Sequence, residues 1–137
     1  MENEDLNFSY RDSFFKKNKD YIIVSAKIKL DAGNMQEISD LISKRRVKRM
    51  ESQPLDAPSA GSVFRNPDGN YAGKLIEECG LKGYKIGGAA VSEKHANFII
   101  NIDNATGEDI INLINHIKDC VYKKFNIKLK EEQLIIE

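Results

Sequence analysis

The chain has 137 residues, enough for one ordinary domain or for one domain with part of a neighbour. Apolar residues make up 41% and charged residues 31% of the chain, a balance typical of soluble globular proteins. Because 21 basic residues offset 21 acidic ones, the net charge is zero, which argues against a nucleic-acid-binding surface.

The cysteines and the N-terminus indicate the cellular compartment. Cys79 and Cys120 lie far apart without CxxC spacing, so we expect reduced thiols and neither a zinc site nor a disulfide framework. No apolar run is long enough to span a membrane, and the acidic N-terminus lacks the apolar core of a secretion signal. We therefore expect a cytoplasmic protein with no metal site and no membrane contact.

The first part of the chain predicts a strand followed by an amphipathic helix. Residues 21–30 are rich in β-branched side chains and alternate in their second half, which is typical of a strand. Met35, Ile38 and Leu41 then recur at helical spacing, so we expect a helix over residues 34–50. A basic run occupies its last turns, where cations interact favourably with the helix C-terminus.

The middle of the chain is rich in turn-forming residues. Residues 53–73 contain three prolines and three glycines, and we interpret them as a long functional loop. A short helix over residues 71–79 follows, with Gly80 as its C-terminal cap. Gly87 and Gly88 then separate two extended runs.

The last part of the chain predicts two strands around a helix. Residues 98–102 are typical of a buried strand, and Thr106 is an N-cap for a helix that continues to about Phe125. Residues 133–136 predict a terminal strand. The β-α-loop-α-β-α-β order predicts an α+β fold, and apolar strands at both ends predict pairing partners outside the chain.

Ser62 lies in the most informative segment, PSAGSVFRNP. Ala60 and Gly61 are small, so the backbone can approach a ligand closely beside this hydroxyl. The hydroxyl suits a nucleophile, a hydrogen-bond donor or a proton donor. A nucleophile is disfavoured because the GxSxG elbow is absent, and the segment alone is as typical of a structural turn serine as of a catalytic one.

Two further polar clusters have two interpretations each. Tyr10 and Arg11 stand in the string YRDS before an aromatic pair, a pattern that a capped turn with a solvated arginine also explains. Residues 82–88 (KGYKIGG) combine lysines and glycines that could cradle phosphates. This segment matches neither a P-loop nor a dinucleotide fingerprint, so it indicates an anion site only weakly.

Five blocks of sequence cover nearly the whole chain. They are FSYRDSFFK (Phe8 to Lys16), PSAGSVFRNP (Pro58 to Pro67), AGKLIEECGLKGYKIGGAAVSEKHANFIIN (Ala72 to Asn101), NATGEDI and KLKEEQLII. In order and spacing they resemble the MurB family of UDP-N-acetylenolpyruvoylglucosamine reductases. The short link between Pro67 and Ala72 resembles the branch of the family without a long insertion there.

The resemblance implies a reaction and its cofactors. The family reduces UDP-N-acetylglucosamine enolpyruvate to UDP-N-acetylmuramate in peptidoglycan synthesis, with NADPH and a bound FAD. The match begins within the family's flavin-binding region, so most of that region is missing here. We therefore expect this fragment to bind no flavin and to be inactive alone, with an upstream flavin-binding segment as its partner.

The resemblance also implies a domain organisation. We expect residues 1–33 to be the tail end of the flavin-binding region, residues 34–53 a connecting helix and residues 54–127 the substrate-binding domain. Residues 128–137 are expected to form a terminal strand that pairs with the missing flavin region. The implied fold is the α+β MurB C-terminal substrate-binding domain with a short remnant of the flavin-binding region.

Seven site residues follow from the resemblance. Ser62 matches the family's proton donor, and a serine hydroxyl can protonate a strongly basic carbon held within hydrogen-bond reach. Arg11 matches the arginine that stabilises charge on the substrate carboxylate, and Glu132 matches the C-terminal glutamate. Four positions match residues that contact the UDP portion of the substrate: Tyr10, Asn66, Lys82 and His95.

The chain departs from the usual family pattern at His95 and in the block that contains Glu132. Some relatives carry glutamine where this chain has His95. Gln133 and Leu134 replace a valine and an arginine of the family, and Glu131 adjoins Glu132. The register of the apolar run that follows favours Glu132.

Two other classes of function remain open at the level of sequence. One is a non-catalytic module that binds a nucleotide sugar. The other is a structural domain whose end strands join a partner chain.

Overall fold

The computed structural model describes residues 1–136. Contacts between Cα atoms divide the chain into two compact units, Met1–Ser39 and Asp40–Glu137. No helix among the described residues is long and apolar enough to cross a membrane.

The first unit contains little regular structure. A single 3-10 turn at Asn3–Leu6 precedes the short helix α1 at Phe14–Lys17. Between them, Ser9 and Asp12 exchange two backbone hydrogen bonds of 3.1 Å. This pairing closes a tight turn whose two tip residues belong to the predicted site.

The prediction of a strand over residues 21–30 is wrong. The β-branched run favours an extended backbone, but these residues take part in no strand of the described chain. Ile22 is 88% exposed and Val24 is 92% exposed. A strand needs a hydrogen-bonding neighbour as well as β-branched side chains, and residue type alone does not supply one.

Helix α2 spans Met35–Ser52 and confirms the helix predicted from apolar spacing. Its start is fixed by Asn34, whose Oδ1 atom accepts hydrogen bonds from the backbone nitrogens of Gln36 and Glu37. None of its residues is buried, so its apolar side chains do not belong to the core described below.

The second unit is built on a four-stranded antiparallel sheet of order β1-β4-β3-β2. The strands are β1 (Ser59–Ser62), β2 (Lys85–Ile86), β3 (Ala89–Val91) and β4 (Phe98–Asn101). Helix α4 (Gly107–Phe125) packs against β2 and β3, and helix α3 (Ala72–Glu78) packs against α4. This mixed arrangement confirms the predicted α+β class.

Helix α4 supplies much of the core. Leu113, Ile114, Ile117 and Val121 recur at helical spacing and are each at most 2% exposed. They face α3 and the hairpin of β2 and β3, and burial of each contributes about 1.5–3 kcal/mol to stability. The helix begins as predicted, because Thr106 Oγ1 accepts a hydrogen bond of 3.1 Å from the backbone nitrogen of Asp109.

Two segments differ from their predicted structure. Part of the predicted loop over residues 53–73 is strand β1, which β4 recruits by hydrogen bonding although its sequence lacks strand periodicity. Residues 133–136 form no strand; instead Glu131 makes a β-bridge to Phe64. Glu137 lies outside the described residues.

The domain bounds inferred from the resemblance stay predictions. These are the flavin-region remnant 1–33, the connecting helix 34–53, the substrate domain 54–127 and the terminal strand 128–137 with its pairing partner.

Candidate functional site

Ser62 is the last residue of β1 and is half-buried. Ser59 pairs with Ile100 and Ser62 pairs with Phe98, so three steps along β1 face two steps along β4. This β-bulge contains Gly61, whose φ of +82° favours glycine although a Cβ there would meet no atom within 4 Å. A bulge redirects the side chains that follow it, and here the next side chain is Ser62.

The opposite edge of this strand is covered by the C-terminal segment. The backbone nitrogen of Glu132 donates to the carbonyl oxygen of Val63 at 2.8 Å, and that of Arg65 donates to the carbonyl oxygen of Lys130 at 2.9 Å. Glu132 therefore lies across from the residue that follows Ser62. Two of the residues predicted from the resemblance are thus carried by adjacent backbone segments of the second unit.

The neighbouring carboxylate, Glu131, has a different role. Lys118 of α4 donates a 2.6 Å hydrogen bond to Glu131 Oε1. Burial by itself raises the pKa of Glu131, but the hydrogen bond and the charge of Lys118 outweigh it and the pKa is lowered. This ion pair anchors the C-terminal segment to α4, and it engages the Glu131 carboxylate.

The Ser62 hydroxyl has no side-chain hydrogen bond within residues 1–136. Neither histidine in this part of the chain is bonded to it. His116 stacks on Tyr84 with ring centroids 4.4 Å apart and lies 3.5 Å from the sulfur of Cys120. With neither histidine of the described residues bonded to it, the hydroxyl fits a donor to a ligand better than an activated nucleophile.

Helix α3 contacts or orients all three predicted substrate residues of the second unit. Asn66 Oδ1 accepts a 3.0 Å hydrogen bond from the backbone nitrogen of Ala72, the first residue of α3. Farther along the helix, Glu77 Oε1 forms an ion pair with Lys82 Nζ at 2.8 Å. Lys82 retains 30% side-chain exposure, so its ammonium group can also contact an anionic ligand.

His95 packs against the first turn of the same helix. A Cβ added at Gly73 would lie 3.2 Å from His95 Cε1, so a larger residue there would push on the imidazole. His95 Nδ1 accepts a hydrogen bond of 3.2 Å from the backbone nitrogen of Asn97, which leaves the hydrogen of the neutral ring on Nε2. His95 thus presents an N–H donor to its surroundings.

The charge state of His95 follows from its environment. Burial is the largest cause that lowers its pKa below the ordinary value, and the positive charge of Lys82 adds to the decrease. A backbone hydrogen bond and the carboxylate of Glu77 act in the opposite direction and are outweighed. The neutral donor form is therefore favoured near neutral pH.

The glycine pair of the KGYKIGG segment, Gly87 and Gly88, serves packing. Gly87 and Gly88 form the turn between β2 and β3, and the backbone nitrogen of Gly88 donates to Asp109 Oδ2 at 3.3 Å. A Cβ at Gly88 would overlap the carbonyl oxygen of Asp103. The Gly88 N–H, a donor that a phosphate would need, is already bonded to Asp109. The phosphate-cradle interpretation therefore finds no support at the glycine pair.

Tyr10 and Arg11 occupy the tip of the tight turn in the first unit. Arg11 has a φ of +56°, a left-handed conformation that costs a non-glycine residue roughly 1–2 kcal/mol. Lys16 Nζ donates a 2.9 Å hydrogen bond to the Arg11 carbonyl oxygen, and the guanidinium carbon lies 5.9 Å from the centroid of the Tyr10 ring. Backbone strain of this kind is concentrated at functional positions.

Two residues without a predicted role stand out beside Ser62. Arg65 Nε is buried and has no hydrogen-bond partner among the described residues. Asn97 is only 5% exposed and bonds to the backbone of Phe64 in both directions. A polar residue next to a buried apolar strand is the signal that could have identified Asn97.

Comparison with known proteins identifies the family. A family model described as UDP-N-acetylenolpyruvoylglucosamine reductase, C-terminal domain, matches residues 53–136. The chain belongs to this family. Its match to the MurB C-terminal domain confirms the resemblance inferred from the five sequence blocks and the fold that it implied.

Full-length relatives agree with this assignment. The chain is 50% identical to the UDP-N-acetylenolpyruvoylglucosamine reductase of Caldanaerobacter subterraneus over 99% of its own length and 45% of the relative. It is 53% identical to the reductase of Carboxydothermus hydrogenoformans over 91% of its length and 41% of that relative. The chain thus spans less than half the length of these relatives.

A solved structure extends the agreement to three dimensions. The crystal structure of MurB from Thermus caldophilus matches with a TM-score of 0.81 and 34% identity. The match covers 96% of this chain and 46% of that one. The α+β fold of this chain is therefore that of the C-terminal part of MurB.

Proposed function

We propose that this chain is the substrate-binding and proton-donating part of a reductase that converts UDP-N-acetylglucosamine enolpyruvate to UDP-N-acetylmuramate for peptidoglycan synthesis. The observation that carries the proposal is the pairing of the Ser62 strand with the Glu132 segment, in a chain 50% identical to such a reductase. The free thiols of Cys79 and Cys120 fit a cytoplasmic location.

The family uses FAD and NADPH, and bound flavin supplies the hydride that is added to the vinyl group of the substrate. The proposed set in this chain consists of a guanidinium (Arg11), a hydroxyl (Ser62) and a carboxylate (Glu132). These groups suit a carboxylate-bearing substrate and offer no flat apolar face for an isoalloxazine ring. We therefore assign these three residues to the substrate and to the proton.

Ser62 completes the reduction in this proposal. Addition of hydride to one vinyl carbon leaves an electron pair on the carbon next to the carboxylate, and that pair takes the proton of the Ser62 hydroxyl. The unbonded state of this hydroxyl supports the role, and its partial exposure lets water return the proton. Arg11 is proposed to stabilise the charge that spreads onto the substrate carboxylate.

The UDP portion is proposed to lie along α3. Lys82 offers a partly exposed ammonium group to the diphosphate, while Asn66 and His95 offer neutral hydrogen-bonding groups. Tyr10 of the first unit completes the proposed contacts.

Calorimetric titration of the chain with UDP-N-acetylglucosamine enolpyruvate tests the substrate assignment. We expect binding, and a loss of roughly 10-fold or more in affinity for Lys82→Met, because a charge-assisted hydrogen bond contributes about 1.5–3 kcal/mol. Lys74→Met is the matched control, since Lys74 also pairs with a glutamate of α3 but is 71% exposed. No binding by the unmodified chain, or equal affinities for both variants, would count against the proposal.

Flavin absorbance and NADPH oxidation distinguish a reductase part from a module that only binds nucleotide sugars. When the chain is combined with the upstream half of a relative, a yellow protein that oxidises NADPH supports the reductase. Substrate binding without any NADPH oxidation in that combined protein favours the binding module.

A further inference from the structure

Asn97 connects β4 to the segment that follows Ser62. Its backbone carbonyl oxygen accepts a 2.9 Å hydrogen bond from the backbone nitrogen of Val63. Its side chain then bonds to the next residue: Oδ1 accepts from the Phe64 nitrogen at 2.9 Å and Nδ2 donates to the Phe64 oxygen at 2.8 Å. Three hydrogen bonds from one residue thus hold the backbone of two consecutive residues, Val63 and Phe64.

The position of Asn97 explains why a side chain takes over from backbone pairing. Strand β4 begins at Phe98, whose nitrogen bonds back to the His95 carbonyl oxygen in a turn. Past this point the Asn97 carbonyl oxygen still accepts from the Val63 nitrogen, and the Asn97 side chain makes the next two bonds, to Phe64. The Asn97 amide has one donor and one acceptor group, the pair that a strand residue would present to Phe64.

The surroundings make this amide costly to replace. Asn97 is 5% exposed and Phe64 is 1% exposed, so water cannot take over the hydrogen bonds if the side chain is lost. On the opposite edge the same short stretch pairs with Glu132 and Lys130 through Val63 and Arg65. The geometry of the Ser62 segment therefore depends on Asn97 on one edge and on the C-terminal segment on the other.

We propose that Asn97 is a positioning residue for Ser62 and Glu132: its amide fixes Val63–Phe64 in the register that aligns both. This inference rests on the proposed function for its catalytic meaning. Its structural content is independent of that function: by bonding to Phe64, the Asn97 side chain sets the order of Ser62 and of the Glu132 amide, neither of which it bonds.

The test is hydrogen exchange of backbone amides, measured by NMR on the chain without substrate. In Asn97→Leu, a variant with the same branching at Cγ but without the hydrogen-bonding groups, we expect the amides of Arg65 and Glu132 to exchange roughly 10- to 100-fold faster, although neither is bonded to Asn97. The Ser62 Hα–Hβ couplings should also change from one rotamer toward an average of several. Amides of Leu113 and Ile117 in α4 should keep their exchange rates.

Asn97→Asp provides a pH-dependent rescue. A protonated carboxyl group has one donor and one acceptor and can bond to Phe64 in both directions, whereas the carboxylate repels the Phe64 carbonyl oxygen. We expect protection of Arg65 and Glu132 near the wild-type level at low pH and its loss as pH rises. Asn101→Asp, at the far end of β4, is the control, because Asn101 is exposed and its Oδ1 only accepts a hydrogen bond, from the Ala105 backbone nitrogen.

The outcomes separate the alternatives. If only the Phe64 amide changes, or if all amides including those of α4 accelerate equally, Asn97 has a local or global structural role and the proposal is overturned. If Asn97→Leu fails to fold, the pH titration of Asn97→Asp decides alone, and a pH-independent result overturns the proposal. Failure of the wild-type chain to bind substrate would contradict the proposed function and leave these exchange results intact.

Discussion

The backbone nitrogen of Glu132 donates a 2.8 Å hydrogen bond to the carbonyl oxygen of Val63. Because Val63 directly follows Ser62, the hydroxyl and the carboxylate proposed for the site are carried by two paired segments. Arg65 and Lys130 continue the pairing by a second hydrogen bond. A substitution that shifts one segment is therefore expected to shift the other.

Gly61 is required by the conformation of the bulge that precedes Ser62. Its φ of +82° with open space around the Cβ position means that Gly61→Ala should cost about 1–2 kcal/mol through backbone strain alone. Urea unfolding measures this cost. Gly107→Ala is the control, since Gly107 also has open space but lies in helix α4 without a positive φ. An equal or smaller cost at Gly61 would contradict the bulge geometry.

The ion pair of Glu131 with Lys118 should make stability depend on pH in the acidic range. The folded-state pKa of Glu131 is lowered, so its stabilising contribution is complete above its ordinary value of 4.5 and is lost as pH falls below it. In Lys118→Met the drop in unfolding free energy from pH 7 to pH 3 should be smaller than in the wild type, by no more than about 1 kcal/mol for a partly exposed pair. Equal drops in both proteins would contradict this linkage.

His95 should contribute a separate pH dependence at higher pH. Its folded-state pKa is lowered chiefly by burial, so the unfolded chain binds the proton first as pH falls below the ordinary value of 6.5. Stability due to neutral His95 is therefore complete above pH 6.5 and decreases toward pH 5. Protonation at Nδ1 would also remove the acceptor of the Asn97 N–H bond.

His95→Gln tests this contribution, because glutamine keeps hydrogen-bonding capacity without titrating in this range. We expect the difference in unfolding free energy between pH 7.5 and pH 5 to shrink in the variant. His116 and the acidic groups remain in both proteins and cancel in the comparison. A difference that stays the same in the variant would show that His95 does not titrate below its ordinary value.

The sequence was sufficient for elements whose stability is local or depends on one apolar face. Helix α4 was predicted from the spacing of Leu113, Ile114 and Ile117 and from Thr106 as its cap, and both features are present. Helix α2 was predicted in the same way, although its apolar face is exposed. Helical hydrogen bonds close within the element, so periodicity and caps suffice to locate it.

Strands were harder to predict because their hydrogen bonds come from elsewhere in the chain. Residues 21–30 have the composition of a strand and form none, whereas Ser59–Ser62 have a loop composition and form β1. The pairing of Glu132 with Val63 joins positions 69 residues apart and leaves no local pattern (132 − 63 = 69). Tertiary pairing overrides local preference at these positions.

The candidate site came from recognition of the family more than from residue chemistry. Ser62, taken alone, is a serine in a glycine-containing segment, and only the five matching blocks gave it a role as proton donor. The structure adds three features that those blocks did not indicate. They are the bulge at Gly61, the ion pair of Lys118 with Glu131, and the hydrogen bonds between Asn97 and Phe64. These contacts join residues that are distant in sequence.

Proton donation by Ser62 is tested most directly by the two half-reactions of the complete enzyme. Residues 1–137 would replace the matching part of the Caldanaerobacter relative, and stopped-flow absorbance would follow flavin reduction by NADPH and its reoxidation by substrate. Ser59→Ala, in the same strand, is the control and should leave both rates unchanged. For Ser62→Ala we predict reduction near the unmodified rate and reoxidation slowed by roughly 10²- to 10⁴-fold, the usual contribution of a general acid. Equal loss of both half-reactions, or reoxidation at the unmodified rate, would contradict Ser62 as the proton donor.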